Sequence, residues 1–360
     1  MKKSYLLMAF AATMFAACSE TEMLNGINEP QKAIGFETYS NKATRATENN
    51  SGDYSTGMSV HHNAYKVWAY RSTSDDLAFD GVEVKAADNT YSPVQYWDND
   101  ATEYNFYAAA PASFAWGFEE NIVNKDKAYL TANVTLAGTN FATKTTAPAS
   151  TFKNVDGDQD LLVSAPCNVE KAKFTTTPVN LQFIHILSRL NVIVKKGATA
   201  PVNMTLKSLV VKNLKKTGEF DGSKPASVAG NNTRWNSSNP AVELYKVENY
   251  NLTTEANYVF EGLVIPQNIT YEDVKLDGTG ITDKACIEVT YVIGTAPNVE
   301  EYVAYYNLAA LFGATALNPT VAFYEGWQNT LTITFNPTAI EFTALAEVWE
   351  NEVTGAPAID

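Results

Sequence analysis

The sequence predicts an all-β protein of about two domains in tandem, each a sandwich or a barrel. Three observations predict it. Apolar residues recur with a period of two in most of the apolar segments, as at 65–70, 103–108, 128–136 and 160–164. Turn signals separate these runs, among them Asp80-Gly81, Ser92-Pro93, Asp98-Asn99-Asp100 and Asp156-Gly157. Short strands with this punctuation fit sandwiches or barrels rather than βαβ units. The length of 360 residues suits about two domains, and 45% hydrophobic with 12% aromatic residues supplies their cores.

The first element is a targeting segment. Lys2 and Lys3 precede an apolar stretch at 5–15 that is too short for a permanent membrane helix and reads as a secretory signal peptide covering residues 1–17. It ends in Phe15-Ala16-Ala17-Cys18, a lipobox-like run, so Cys18 is the expected lipidation site and first mature residue. Residues 19–31 are polar and read as a tether. A short strand follows at 33–39 with Ile34 and Phe36 on one face, then a polar loop at 40–53 that carries Arg45. The strand is thus isolated between two flexible stretches.

The first series of strands runs from residue 65 to 164, with a surface loop expected at 140–154. The quiet stretch at 165–178, with two prolines and a threonine run, marks the expected boundary, which places an N-terminal sandwich at 46–170 and a C-terminal one at 171–336. The second series opens at Val179-Asn180-Leu181-Gln182-Phe183 and continues through 189–194, 206–211 and 258–265. Ile287, Val289, Tyr291 and Ile293 alternate, residues 295–301 turn, and Tyr302, Ala304, Tyr306 and Leu308 alternate back as a hairpin. Strands at 331–335 and 340–348 finish the chain, the region 337–360 being set apart. In it Ile340, Phe342, Ala344, Ala346 and Val348 form an entirely apolar face. No repeat of 20 to 50 residues is visible, which disfavours a solenoid or propeller.

Composition excludes several functions. With 26 Lys and Arg against 40 Asp and Glu, a net charge of −14 and no basic cluster, nucleic acid is the wrong partner. His61 and His62 are neighbours that point to opposite faces of a strand, and His185 stands alone, so all three read as structural rather than metal ligands. Asp156-Gly157-Asp158-Gln159-Asp160 resembles the start of a calcium loop but has Leu161 where Gly is needed and Cys167 where the bidentate Glu belongs. Cys167 and Cys286 fall in different expected domains and read as thiols. No nucleophile elbow, P-loop or dinucleotide fingerprint is present, and no carboxylate pair stands out, so no enzyme, metal or cofactor is expected. Trp97, Trp116 and Trp235 are read as packing residues rather than a sugar platform.

Several segments in order then resemble the fimbrillin family of Bacteroidales, the type V pilins and their relatives. They are the lipobox at Cys18, the strand at 33–39 followed by Arg45, Asp160-Leu161-Leu162-Val163, and Val179-Asn180-Leu181-Gln182-Phe183 with His185 and Ser188-Arg189-Leu190. Val264-Ile265-Pro266-Gln267 and Trp327 before a final pair of strands with Trp349 complete the set. The resemblance implies transthyretin-like sandwiches, export as an outer-membrane lipoprotein, removal of the segment 18–45 by an arginine-specific protease at Arg45 and Ala46, and polymerisation into an extracellular fimbrium by strand exchange. Its implied partners are other fimbrial subunits, the protease, the outer membrane through the lipid on Cys18, and a host protein or glycan. A displaced first strand with Ile34 and Phe36 leaves a groove that another strand can fill, and the face of Ile340, Phe342, Ala344, Ala346 and Val348 is the candidate donor. A tip or anchor subunit and a surface glycan-binding lipoprotein are the alternatives.

Overall fold

The computed structural model describes residues 32–40, 62–73, 77–119, 128–138, 154–155, 158–174, 178–200, 203–225, 232–241, 243–271, 284–295, 297–336 and 340–348. The N-terminal part holds β1 (Phe36–Ser40), β2 (Ala64–Arg71), β3 (Leu77–Lys85), β4 (Glu103–Ala110), β5 (Trp116–Glu119), β6 (Tyr129–Thr135), β7 (Asn154–Val155), β8 (Asp158–Gln159), β9 (Leu162–Ser164), β10 (Cys167–Glu170) and β11 (Val179–His185). A seven-stranded sheet runs in the order β1-β11-β9-β4-β2-β3, with β10 also on β4. Period-two alternation divides its side chains between two cores. Tyr104, Phe106 and Ala108 of β4 join Tyr65, Val67, Phe79, Leu181 and Phe183 in one. Tyr107 and Ala109 turn the other way, with Trp68 and Tyr70, into the second.

The C-terminal part holds β12 (Ser188–Lys196), β13 (Met204–Lys212), β14 (Lys215–Asp221), β15 (Trp235–Pro240), β16 (Tyr245–Asn251), β17 (Asn257–Val264), β18 (Gln267–Thr270), β19 (Cys286–Thr295), β20 (Asn298–Asn307), a one-turn helix α1 (Leu308–Leu311), β21 (Thr320–Phe323), β22 (Trp327–Phe335) and β23 (Ile340–Val348). Two four-stranded sheets, β17-β12-β22-β23 and β16-β13-β19-β20, contribute Leu190, Val192, Leu206, Leu209, Val259, Ile287, Leu331 and Ile333 to one shared core. The all-β class expected from the alternation is therefore what the chain adopts.

The two parts interlock. A further sheet, β15-β14-β6-β5, pairs Val134 of β6 with Gly218 of β14, joining strands from either side of the expected division at 170/171. The strand Val179–His185, read from sequence as the head of the second series, pairs with β1 and β9 of the first sheet. The described part of the quiet stretch holds β10, paired on β4, and a short 3-10 turn at Lys171–Lys173. Ile186 and Leu187, which connect β11 to β12, are both fully buried. A polar, proline-bearing stretch looks like a linker, whereas Ile186 and Leu187 are apolar and both lie in the larger core.

Candidate strand-exchange groove

Strand β1 lies in parallel register on β11, Phe36 opposite Val179, Thr38 opposite Leu181 and Ser40 opposite Phe183. On its other side a segment at 91–97 closes the gap to the far edge of the sheet. Tyr91 bridges Val84 of β3, and Tyr96 bridges Ala33 just before β1. Backbone bonds run from Ile34 N to Gln95 O at 2.9 Å, from Trp97 N to Lys32 O at 3.0 Å and from Val179 N to Gly35 O at 2.8 Å. The Tyr91 hydroxyl donates to Ile34 O at 2.7 Å. Burial pushes the Tyr91 phenol above its ordinary value, with a backbone hydrogen bond at Gln95 opposing the shift, so the donor keeps its proton. The first strand therefore completes a ring around an apolar interior.

Its side chains are sealed. Ile34 is 2% exposed, Phe36 5% and Thr38 0%. The Phe36 ring sits 5.5 Å from Phe79, 5.5 Å from Tyr91 and 5.9 Å from Phe106. Edge and tilted contacts of this kind contribute beyond area burial. Thr38 differs from its neighbours, because its Oγ1 is buried with no hydrogen-bond partner among the described residues.

The candidate donor residues lie elsewhere. Strand β23 pairs antiparallel with β22 of its own chain, Phe335 opposite Ile340, Ile333 opposite Phe342, Leu331 opposite Ala344, Asn329 opposite Ala346 and Trp327 opposite Val348. It is the outer strand of its sheet. Ile340, Phe342 and Ala344 are only half-buried against the C-terminal core, with the Phe342 ring 4.3 Å from Tyr306, and Ala346 is exposed. On the opposite face Leu345 is 55% exposed.

The segments that carried the resemblance converge as ties between strands. His185 Nδ1 lies 2.8 Å from Asp160 Oδ2, both buried, and links β11 to the residues before β9. Ser188 Oγ donates to Trp327 O at 3.1 Å and accepts from Asn329 Nδ2 at 2.9 Å, fixing β12 against β22. Gln267 Oε1 accepts from Lys215 N at 2.9 Å while its Nε2 donates to Ile265 O at 3.0 Å, fixing β14 beside β18. Trp97 stacks on Phe174 at 4.4 Å and Trp235 packs near Phe220, so neither presents a stacking platform. Cys167 and Cys286 are free thiols, and burial pushes Cys286 up to about 11. Among the described residues no group of His, Cys, Asp or Glu could hold a metal, and no helix is long and apolar enough to cross a membrane. Cys18, Arg45, Ala46, His61 and Trp349 lie outside the described residues.

Sequence reasoning missed Tyr91 and Thr38. Tyr91 had one signal, its place before the Ser92-Pro93 turn, but its target is 57 positions away. Thr38 is an ordinary strand residue in sequence, and only the closure of the ring makes its hydroxyl costly.

Comparison with known proteins bears on the same fold. Residues 44–349 match the family model described as fimbrillin-like. A solved fimbrial protein from Bacteroides vulgatus is 14% identical, covers 88% of this chain and 99% of its own, and superposes with a TM-score of 0.53, a likeness of fold. A Bacteroides uniformis structure described as a candidate cell adhesion protein has 15% identity, a TM-score of 0.46 and coverage of 88% and 99%. The tip fimbrial protein Mfa3 from Porphyromonas gingivalis, with C-terminal truncation, has 11% identity, a TM-score of 0.37 and coverage of 80% and 94%. No curated protein sequence matches.

Proposed function

Since the chain belongs to the fimbrillin-like family, we propose that it is a structural subunit of a cell-surface pilus. It is exported as a lipoprotein through Cys18 and activated by cleavage at Arg45 and Ala46. It polymerises when β23 of one subunit fills the groove that β1 leaves in the next. The observation that supports this reading is that β1 and the residues leading into it fill an apolar ring, to which they contribute one short strand and the two large side chains of Ile34 and Phe36. Reburying an Ile and a Phe contributes about 1.5–3 kcal/mol each, and each restored backbone bond about 1 kcal/mol, so an emptied groove favours a replacement strand strongly. A strand passed from each subunit to the next is a heterologous contact that does not close on itself, which is what a filament needs.

A terminal tip or anchor subunit is the second reading, favoured by one observation. Strand β23 is docked on its own sheet through nine register pairs, and a subunit that never releases it would end a chain rather than extend it.

The test is cleavage of the purified precursor by an arginine-specific protease, followed by a denaturing gel without boiling. The pilus reading expects a new N-terminus at Ala46 and a ladder of multimers. Complete cleavage with a protein that stays monomeric would rule it out in favour of a terminal subunit.

A further inference from the structure

The two terminal strands carry the same side-chain order. β1 and its approach read Ile34-Gly35-Phe36-Glu37-Thr38, and β23 reads Ile340-Glu341-Phe342-Thr343-Ala344. Both alternate so that the first, third and fifth residues share a face. In the N-terminal groove these three seats are filled by Ile34, Phe36 and the unpartnered hydroxyl of Thr38. In β23 the corresponding residues are half-buried, and the fifth is an alanine with nothing polar to satisfy.

From this we infer a register for the strand exchange, resting on the function proposed above. A second copy's β23 enters parallel to β11 with Ile340, Phe342 and Ala344 in the seats of Ile34, Phe36 and Thr38. The position of Thr38 is the one that biases the exchange. An unsatisfied buried hydroxyl destabilises the resident strand, and an incoming Ala344 removes that penalty while Ile340 and Phe342 refill the two larger seats. The resident strand therefore holds the ring closed without being the best occupant of it. Two Ile-x-Phe runs in one chain also fix direction, because an antiparallel entry with Phe342 in its seat would put Ala344 at the Ile34 seat and Ile340 at the Thr38 seat.

Outward-facing neighbours report the register. Glu37 stands opposite Asn180, and both are exposed. In the inferred register Thr343 takes the place of Glu37, and adjacent strands at about 4.8 Å allow a disulfide. The experiment uses the full-length protein carrying Asn180→Cys and Thr343→Cys in a Cys167→Ser background, which removes the free thiol beside Asn180, cleaved by the arginine-specific protease and oxidised. The expected result is a covalent ladder that needs cleavage and both cysteines. A ladder from Asn180→Cys with Glu341→Cys instead, polymers that never cross-link at either pair, or a disulfide-closed monomer would overturn the register while leaving the state of assembly visible on the same gel. Absence of polymers from the cleaved parent protein would overturn the function and the register together.

The bias is tested separately on the uncleaved protein, so it does not depend on assembly. Thr38→Val keeps the shape and removes the hydroxyl. It should raise the melting temperature of the precursor by about 2–4 °C and slow multimer formation after cleavage by roughly fivefold to tenfold at matched cleavage. An unchanged or lowered melting temperature would remove Thr38 as the biasing position. A raised melting temperature with unchanged assembly kinetics would show that β1 is not the strand displaced.

Discussion

Strands β1 and β23 both lie at the ends of their sheets and share an Ile-x-Phe pattern, yet they are held differently. β1 is short, with five register pairs on β11, but its seats are almost completely sealed by Phe79, Tyr91, Phe106 and the bridging segment at 91–97. β23 has nine register pairs on β22, but Ile340, Phe342 and Ala344 are only half-buried and its outer edge has no partner strand among the described residues. One strand is held by enclosure and the other by its ladder. A ladder can be rebuilt on any free edge, since backbone donors and acceptors are the same everywhere, whereas a sealed pocket rewards only side chains that fit it. That is why the N-terminal seat, and not the C-terminal sheet, is the place where specificity for an incoming strand would reside.

The comparison breaks most visibly on deletion. A chain begun at Ala46 loses both large seat fillers and the bonds around them, on the order of 5–10 kcal/mol, comparable to the whole stability of a domain. Such a chain should appear as multimer or aggregate and not as a monomer with the precursor's melting curve. A monomer that melts with the precursor would mean that the ring does not depend on β1.

Point substitutions sharpen it. Phe36→Ala should cost the precursor about 3–5 kcal/mol in urea denaturation, and Phe342→Ala about 1–2 kcal/mol because its ring is already half solvated. Equal costs would contradict the difference in enclosure. The smallest expected effect on stability is that of Arg45→Ala. It should change unfolding by no more than about 0.5 kcal/mol, the usual size for a change in a segment that reads as polar loop in sequence, yet leave β1 in place and stop multimer formation. Multimers of normal length from that variant would move the activating cleavage elsewhere.

Much of the fold was readable from alternation. The strands at β4, β12, β19 and β22 follow from period-two apolar runs, and Ile34 with Phe36 marked an isolated buried strand before any pairing was known. The turn of the β19–β20 hairpin was read too long, at 295–301, because Asn298, Glu300 and Glu301 are polar. In the structure they are exposed residues of an outer strand that pairs from Asn298 onward, opposite Thr295. What alternation cannot encode is which distant strand lies alongside. The parallel pairing of β1 with β11 and the sheet shared by β6 and β14 connect positions far apart in sequence. Nothing local in those strands names the partner. The candidate site was legible as a pair of apolar faces at the two ends of the chain. Its closure by Tyr91 and its weak position at Thr38 were not, because both depend on what those faces meet.

The central claim, that the groove emptied by cleavage accepts β23 from another copy, is tested most directly by mixing two half-competent proteins. One is the subunit truncated before Ile340 and cleaved after Arg45, which has an open groove and no strand to give. The other is the full-length Arg45→Ala precursor, which has the strand and a closed groove. Size-exclusion chromatography of the mixture should give a one-to-one dimer and nothing larger, with no dimer when the truncated partner is left uncleaved. No dimer from a cleaved, truncated subunit that still shows a folded circular dichroism spectrum, or an equal yield of dimer without cleavage, would contradict the account.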